Sequence, residues 1–240
     1  RSMASLEEVT DALSQLRLSG LPVVDVEGRL VGVIRQPAMV EAIREEAAED
    51  MQAMVGAGRE ERALSSPGLT IRKRLPWLNV NLLTVFLAAA VVALFEGTIA
   101  RFTALAVLLP VVAGQSGNTG AQALAVTMRG LALREVRVRH WRRVMLKEAT
   151  SGLVNGLAIA AVTVVGVYLW SRSMGLCGVI GTAMVVSMMS AGIFGTVVPM
   201  ILTAAGQDPA QSSSIILTTL TDVVGFLTFL GLATMFAQML

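Results

Sequence analysis

The sequence predicts a mainly α-helical protein: a polytopic membrane domain of five transmembrane helices behind a small N-terminal α/β unit. Two observations predict it. Hydrophobic residues make up 54% of the 240-residue chain and charged residues only 15%, with a mean hydropathy of +0.68. From Trp77 onward the apolar residues gather into stretches near the ~20 residues that a helix needs to cross a bilayer. Residues 1–75, by contrast, hold 12 of the 17 acidic and 10 of the 19 basic residues. The expected division is a cytoplasmic domain over 1–54, a linker over 55–75 and a membrane domain over 76–240.

Taken in order, Ser5-Leu6-Glu7-Glu8 has the form of a capping box, and Leu6, Val9, Leu13 and Leu16 recur at helical spacing until Gly20. An acidic amphipathic helix therefore stands where a secretory signal would. Pro22 to Val26, a turn at Glu27-Gly28 and Arg29 to Ile34 read as a β-hairpin. Pro37 suits the first turn of a second helix, acidic through Glu41, Glu45, Glu46, Glu49 and Asp50. Glycines at 56 and 58 and the run Ser65-Ser66-Pro67-Gly68 flank a short charged segment in the linker. The five spans are expected near Trp77–Phe95, Phe102–Met128, Ala149–Trp170, Leu176–Ala205 and Pro209–Leu240.

Orientation follows from Lys and Arg. Arg72, Lys73 and Arg74 precede the first span, and Arg129, Arg134, Arg137, Arg139, Arg142, Arg143 and Lys147 separate the second from the third. Only Arg101 and Arg172 stand on the opposite side. The expected topology is a cell-membrane protein with a cytoplasmic N-terminus and an external C-terminus. The same basic loops account for the pI of about 9.2 without a nucleic-acid partner. One cysteine (Cys177) and one histidine (His140) cannot form an intrachain disulfide or a His-rich metal site. Nor do they supply a catalytic set, so an enzyme is not expected.

Two spans are too polar to be plain lipid-facing anchors. In the second, Gly114, Gly117, Asn118, Ala121 and Gln122 fall on one helical face. Small residues there are a common packing device, but Asn118 and Gln122 are more polar than packing requires. In the fifth, Ser214, Thr218 and Asp222 are four apart and stack on one stripe, with Gln211, Thr221 and Gly225 beside it. Asp222 lies roughly 20 Å along the helix from Pro209, and a carboxylate at such depth costs on the order of 2.5–3.5 kcal/mol. One way to meet that cost is a protonated Asp222 hydrogen-bonded to Thr221 or Asn118; the better one is a bound cation in a water-filled path. The donors on both stripes are oxygens, which favour magnesium, calcium or manganese over zinc or copper. A single carboxylate per chain is too few for a cage, whereas two facing each other in a dimer suit hydrated magnesium. The acidic residues Glu45, Glu49, Asp50 and Glu61 could hold a regulatory metal between domains, although an acidic run by itself is usually a solvated face. Asp208 before Pro209 reads as a cap.

These blocks resemble the MgtE family of magnesium channels and transporters. The resemblance rests on Phe95-Glu96, Pro110 with Gly117 to Gln122, Trp141 to Val144 with Leu146-Lys147-Glu148, Asp208-Pro209-Ala210, and Thr218 to Gly225. It implies a homodimer with a central pore between the second and fifth helices, Asp222 on hydrated Mg2+, and Asn118 and Thr218 along the path. Gly117, Ala121, Gln122, Ser214, Thr221 and Gly225 complete the expected lining. Residues 4–54 resemble the latter part of a CBS domain through Leu21 to Asp25 and Gly28 to Ile34. In the family, such modules come in pairs, sense cytoplasmic magnesium and close the pore through a plug helix, here placed at 55–75. Nucleotide-binding CBS modules carry Ser or Thr and then Asp where this chain has Arg35 and Ala38, so no nucleotide is expected. Two further departures are Ser214-Ile215 in place of a small residue and a proline, and Ser116 in place of a common glycine. The readings that compete with a pore are a non-transporting membrane metal sensor and a proton-coupled carrier.

Overall fold

The structure, a computed structural model, describes residues 20–58, 60–210 and 213–240. It divides into two compact units, Arg1–Gln52 and Ala53–Leu240. The expected helix from Ser5 to just before Gly20, with its Ser5 and Glu8 box, lies outside the described residues.

In the first unit, β1 (Gly20–Val24) pairs antiparallel with β2 (Leu30–Arg35), with Leu21 opposite Ile34 and Val23 opposite Gly32. Asp25 builds the turn: its Oδ1 accepts the backbone N–H of Glu27 at 3.0 Å and of Arg29 at 2.8 Å. Gly28 supplies the left-handed residue at φ +82°, where a side chain would be strained. The N–H bonds and the adjacent Arg29 guanidinium hold the Asp25 carboxyl below the usual carboxylate range. Helix α1 (Gln36–Met54) follows, with Pro37 in its first turn as expected. Leu30, Val31 and Val33 remain well exposed, so the hairpin does not close a core of its own.

The second unit is helical. Residues 55–58 and 60–66 form turns and irregular chain, and α2 (Pro67–Ala93) begins with Pro67 in its first turn and carries Pro76 inside it. A short α3 (Glu96–Arg101) leads to α4 (Ala104–Ala132), a 3-10 turn at Val138–His140, α5 (Trp141–Ser171), α6 (Met174–Ala204) and α7 (Ser213–Met235). Two boundaries differ from the sequence reading for one reason. α2 starts ten residues before Trp77 and α5 eight before Ala149, because the basic stretches ahead of the apolar runs are made largely of good helix formers, and α2 continues through Pro76.

Four of the five expected spans are recognisable by length and composition. Among the described residues, α2, α5 with its preceding turn, α6 and α7 are long and apolar enough to cross a membrane. α4 has 29 residues, about 43 Å at the usual rise, yet it is not among them. Its Gln115, Asn118 and Gln122 dilute an otherwise apolar helix.

α6 is the central helix and packs against α4, α5 and α7. Ile180, Ala183 and Met184 of α6 are fully buried with Leu105 and Val112 of α4 and Phe229, Leu230 and Ala233 of α7. Glycines set the separations. A Cβ at Gly152 of α5 would stand 2.7 Å from the Met188 carbonyl oxygen, and one at Gly192 of α6 would stand 2.7 Å from that of Glu148. At Gly195 it would meet the Gly120 carbonyl of α4 at 2.5 Å. The backbones therefore touch at distances only glycine permits, the close-packing mode typical of membrane helices.

Gly152→Val or Gly195→Val should cost about 1–3 kcal/mol, a fall of roughly 3–10 °C in Tm by thermal unfolding in detergent. Gly166→Ala, where an added Cβ has open space, should change little.

Candidate ion path

The polar residues of α7 fall on two adjacent sides of the helix. Thr218 is exposed, Ser214 and Asp222 are half-buried, and Leu217, Thr221 and Gly225 are buried. The threonine hydroxyls turn back on their own helix: Thr218 Oγ1 donates to the Ser214 carbonyl at 2.8 Å, Thr219 Oγ1 to Ile215 at 2.8 Å and Thr221 Oγ1 to Thr218 at 2.9 Å. Such bonds satisfy a hydroxyl locally. Asp222 has no equivalent. Among the described residues no hydrogen bond or ion pair reaches its carboxylate, and no group of three or more His, Cys, Asp and Glu side chains comes together anywhere. Thr221 is thus not its donor.

α4 is equally two-sided. Leu108, Val112, Ser116, Gly120, Ala123, Leu124 and Thr127 are buried, while Gly114, Asn118, Ala121 and Gln122 are exposed and Gly117 is half-buried. The polar stripe expected from the sequence is the face this chain leaves uncovered. The buried side meets α7: a Cβ at Gly120 would stand 3.1 Å from Leu217 and 3.3 Å from Thr221, and one at Gly225 would stand 3.4 Å from Val112. Thr221 and Gly225 therefore lie in the α4–α7 seam, and Thr218 and Asp222 beside it.

Sequence reasoning missed Ser187 of α6. Its Oγ is buried, has no hydrogen-bond partner among the described residues, and lies 3.6 Å from where a Gly225 Cβ would stand. An unsatisfied buried hydroxyl costs about 1–3 kcal/mol. A lone serine in an apolar run gives no sign that it will meet another helix at a glycine.

The N-terminal end of α7 is covered. Ala53 and Met54 pack with Leu124 and Met128 of α4, Ala210 and Leu217. The Ser214 hydroxyl donates to the Met54 carbonyl. Asp208 Oδ1 accepts the Ala210 N–H at 2.9 Å, the capping role its position before Pro209 suggests. Beneath residues 55–57 lies a cavity of about 460 Å³, lined also by Arg74, Trp77 and Asn81 of α2 and by Ser214 and Thr218 of α7.

The sequence profile of the divalent cation transporters designated MgtE matches residues 109–232, just over half the chain and the stretch that holds both polar stripes. The chain belongs to the MgtE family. A CBS-domain profile matches residues 2–45. The chain is 34% identical over 235 residues to the magnesium transporter MgtE of Thermus thermophilus and 31% over 232 residues to that of Enterococcus faecalis. It is 28% identical over 234 residues to that of Bacillus subtilis. These alignments cover 97%, 97% and 98% of the chain and 52%, 51% and 52% of the relatives. The chain thus spans about half the length of the MgtE proteins it matches. Membership in this family, with several apolar helices, makes it a multi-pass membrane protein.

Four acidic residues are expected to hold a regulatory metal. Glu45, Glu49 and Asp50 lie on α1 in the first unit, and Glu61 in the second. Glu61 is buried and accepts hydrogen bonds from Arg74, whose Nε is at 3.0 Å from Oε2 and whose Nη2 reaches Oε1, and from Thr70 Oγ1 at 3.3 Å. Glu60 pairs with Lys73 at 3.1 Å. Residues 60 and 61 are thereby tied to the first turns of α2. The Arg74 guanidinium, outweighing the opposing effect of burial, holds the Glu61 carboxyl below the usual glutamate range.

A carboxyl whose pKa is lower folded than unfolded stabilises fully above about pH 4.3, and that contribution is lost as pH falls through the lowered value. Limited proteolysis of 55–66 should accelerate below about pH 4. Glu61→Gln should accelerate it already at neutral pH and flatten the acid response.

Proposed function

We propose that this chain carries magnesium ions across the membrane along the uncovered polar faces of α4 and α7. One observation carries the reading: Asp222 sits half-buried on an apolar helix with no partner among the described residues, one turn from exposed Thr218. A carboxylate so placed is costly unless something offsets its charge. A cation passing along Thr218, Asp222, Asn118 and Gln122 does so, and oxygen donors alone suit a hard ion. The relatives' designation as magnesium transporters supports Mg2+ as the cargo.

The same stripes explain why two chains are required. One carboxylate cannot replace the water shell of magnesium, but two from facing copies of α7 can hold the hydrated ion through its waters. α4 then serves as the fifth span: its amides face the path and not lipid, which is why its composition falls short of an anchor. Positive charge in the first turns of α2 and around the α4–α5 connection supports a cytoplasmic position for those segments, with the C-terminus outside. On this reading the covered end of α7 is the cytoplasmic mouth. Residues 53–58 then close it, and Ser214, Thr218 and Asn81 line the vestibule beneath.

Reconstituted in liposomes, the wild-type chain should take up magnesium down its gradient, and the rate should not depend on a pH gradient. Asp222→Ala and Asp222→Asn should both reduce uptake at least tenfold with oligomeric state unchanged. Uptake that survives both substitutions would make Asp222 structural and refute the path. Uptake that follows the proton gradient would replace the pore by a coupled carrier.

A further inference from the structure

Away from that path, the start of α5 combines positive charge, polar side chains and an open groove. Residues 137–155 hold Arg137, Arg139, Arg142, Arg143 and Lys147 against Glu148 alone, a net charge of +4. Glu148 is buried and takes one contact from the Lys147 ammonium at 2.5 Å. α5 has 31 residues, about 46 Å, against a hydrocarbon thickness of about 30 Å. The twenty residues Gly152 to Ser171 fill that thickness, so Trp141 to Ser151 reach into the headgroup layer. Trp141 is half-exposed there, with the Arg142 guanidinium 5.3 Å from its ring centre, an interfacial anchor.

Just where the helix enters hydrocarbon, an open groove of about 620 Å³ runs along Leu146, Lys147, Thr150, Ser151, Val154 and Asn155. Arg143 is one turn before Lys147 on the same face. The Thr150 and Ser151 hydroxyls donate to the Leu146 and Lys147 carbonyls, at 2.8 and 3.0 Å, and keep their lone pairs for a donor. Asn155 is exposed on a helix apolar enough to span a membrane, where an amide needs a polar partner.

We propose that this groove binds the headgroup of an anionic phospholipid. Lys147, with Arg143 a turn further out, supplies cationic donors for the phosphodiester, and Thr150 and Ser151 accept from a headgroup hydroxyl. The Asn155 amide, about 12 Å below Lys147 along the helix, donates to an acyl ester carbonyl, and Leu146 and Val154 form the floor for the first acyl carbons. A zwitterionic lipid would bring its own cation into a field of +4. A second copy of the chain would bring another +4 against it. Charge complementarity therefore selects the anionic lipid.

The test is native mass spectrometry of the full chain released from micelles doped with equal phosphatidylglycerol and phosphatidylcholine. Wild type should retain phosphatidylglycerol at least fivefold over phosphatidylcholine. Arg143→Gln should cost about fivefold in that retention, the effect of one charge near a membrane surface. Asn155→Leu, an apolar change on the exposed face that leaves the Lys147–Glu148 pair intact, should lower it independently. Arg172→Gln, at the other end of α5, should leave it unchanged. Equal retention of the two lipids by wild type, or full retention by both groove variants, would overturn the proposal. So would efficient disulfide dimerisation through Asn155→Cys in a Cys177→Ser background, which would put a second copy in the groove.

Discussion

An ionisable group without a partner on an apolar helix is the constraint around which this chain is arranged. Every other polar side chain on the described part of α7 between Ser213 and Thr221 returns its hydrogen bond to nearby backbone. Asp222 does not, and hydrocarbon offers it nothing. The residue is tenable only if its side of α7 looks onto water, an ion or another chain. The exposed amides of α4 impose the same demand. Both stripes thus call for one common aqueous seam, which is the substance of the proposed path.

The rest of the bundle serves to hold those two helices at a fixed separation while leaving the stripes bare. α6 occupies the middle, and its glycines allow the backbones of α4 and α5 to approach to contact. Between α4 and α7, Gly120 leaves room for the side chains of Leu217 and Thr221 and Gly225 for that of Val112, which places Thr221 in the seam and leaves Thr218 and Asp222 beside it. At one end of α7 the chain closes over its own helix terminus through Met54 and Ser214, and the Glu61–Arg74 pair fixes the strand of turns that follows.

Much of this was legible in sequence. Two valine-rich runs on either side of Glu27-Gly28 gave the hairpin, apolar run lengths gave the helix order, and the four-residue spacing of Ser214, Thr218 and Asp222 gave a stripe that the structure keeps on one side. Other features were not legible because they depend on what lies across a contact. Helix starts at Pro67 and Trp141 were hidden by charges that reduce hydropathy without reducing helix propensity. The pairing of Glu61 with Arg74 spans thirteen residues through turns, a separation with no periodic signature. Thr221 and Thr218 look alike in sequence, and only the position of Gly120 decides which is buried.

The most direct test of the central claim is which sides of α4 and α7 meet water. Single cysteines at positions 118, 122, 217, 218, 221 and 222, in a Cys177→Ser background, would be probed in sealed vesicles with a small hydrophilic thiol reagent, with and without magnesium. The account predicts rapid labelling at 118, 122, 218 and 222, slowed by magnesium except where Asp222 itself is replaced, and no labelling at 217 or 221. Labelling that ignores this division, or protection of all six positions, would contradict it.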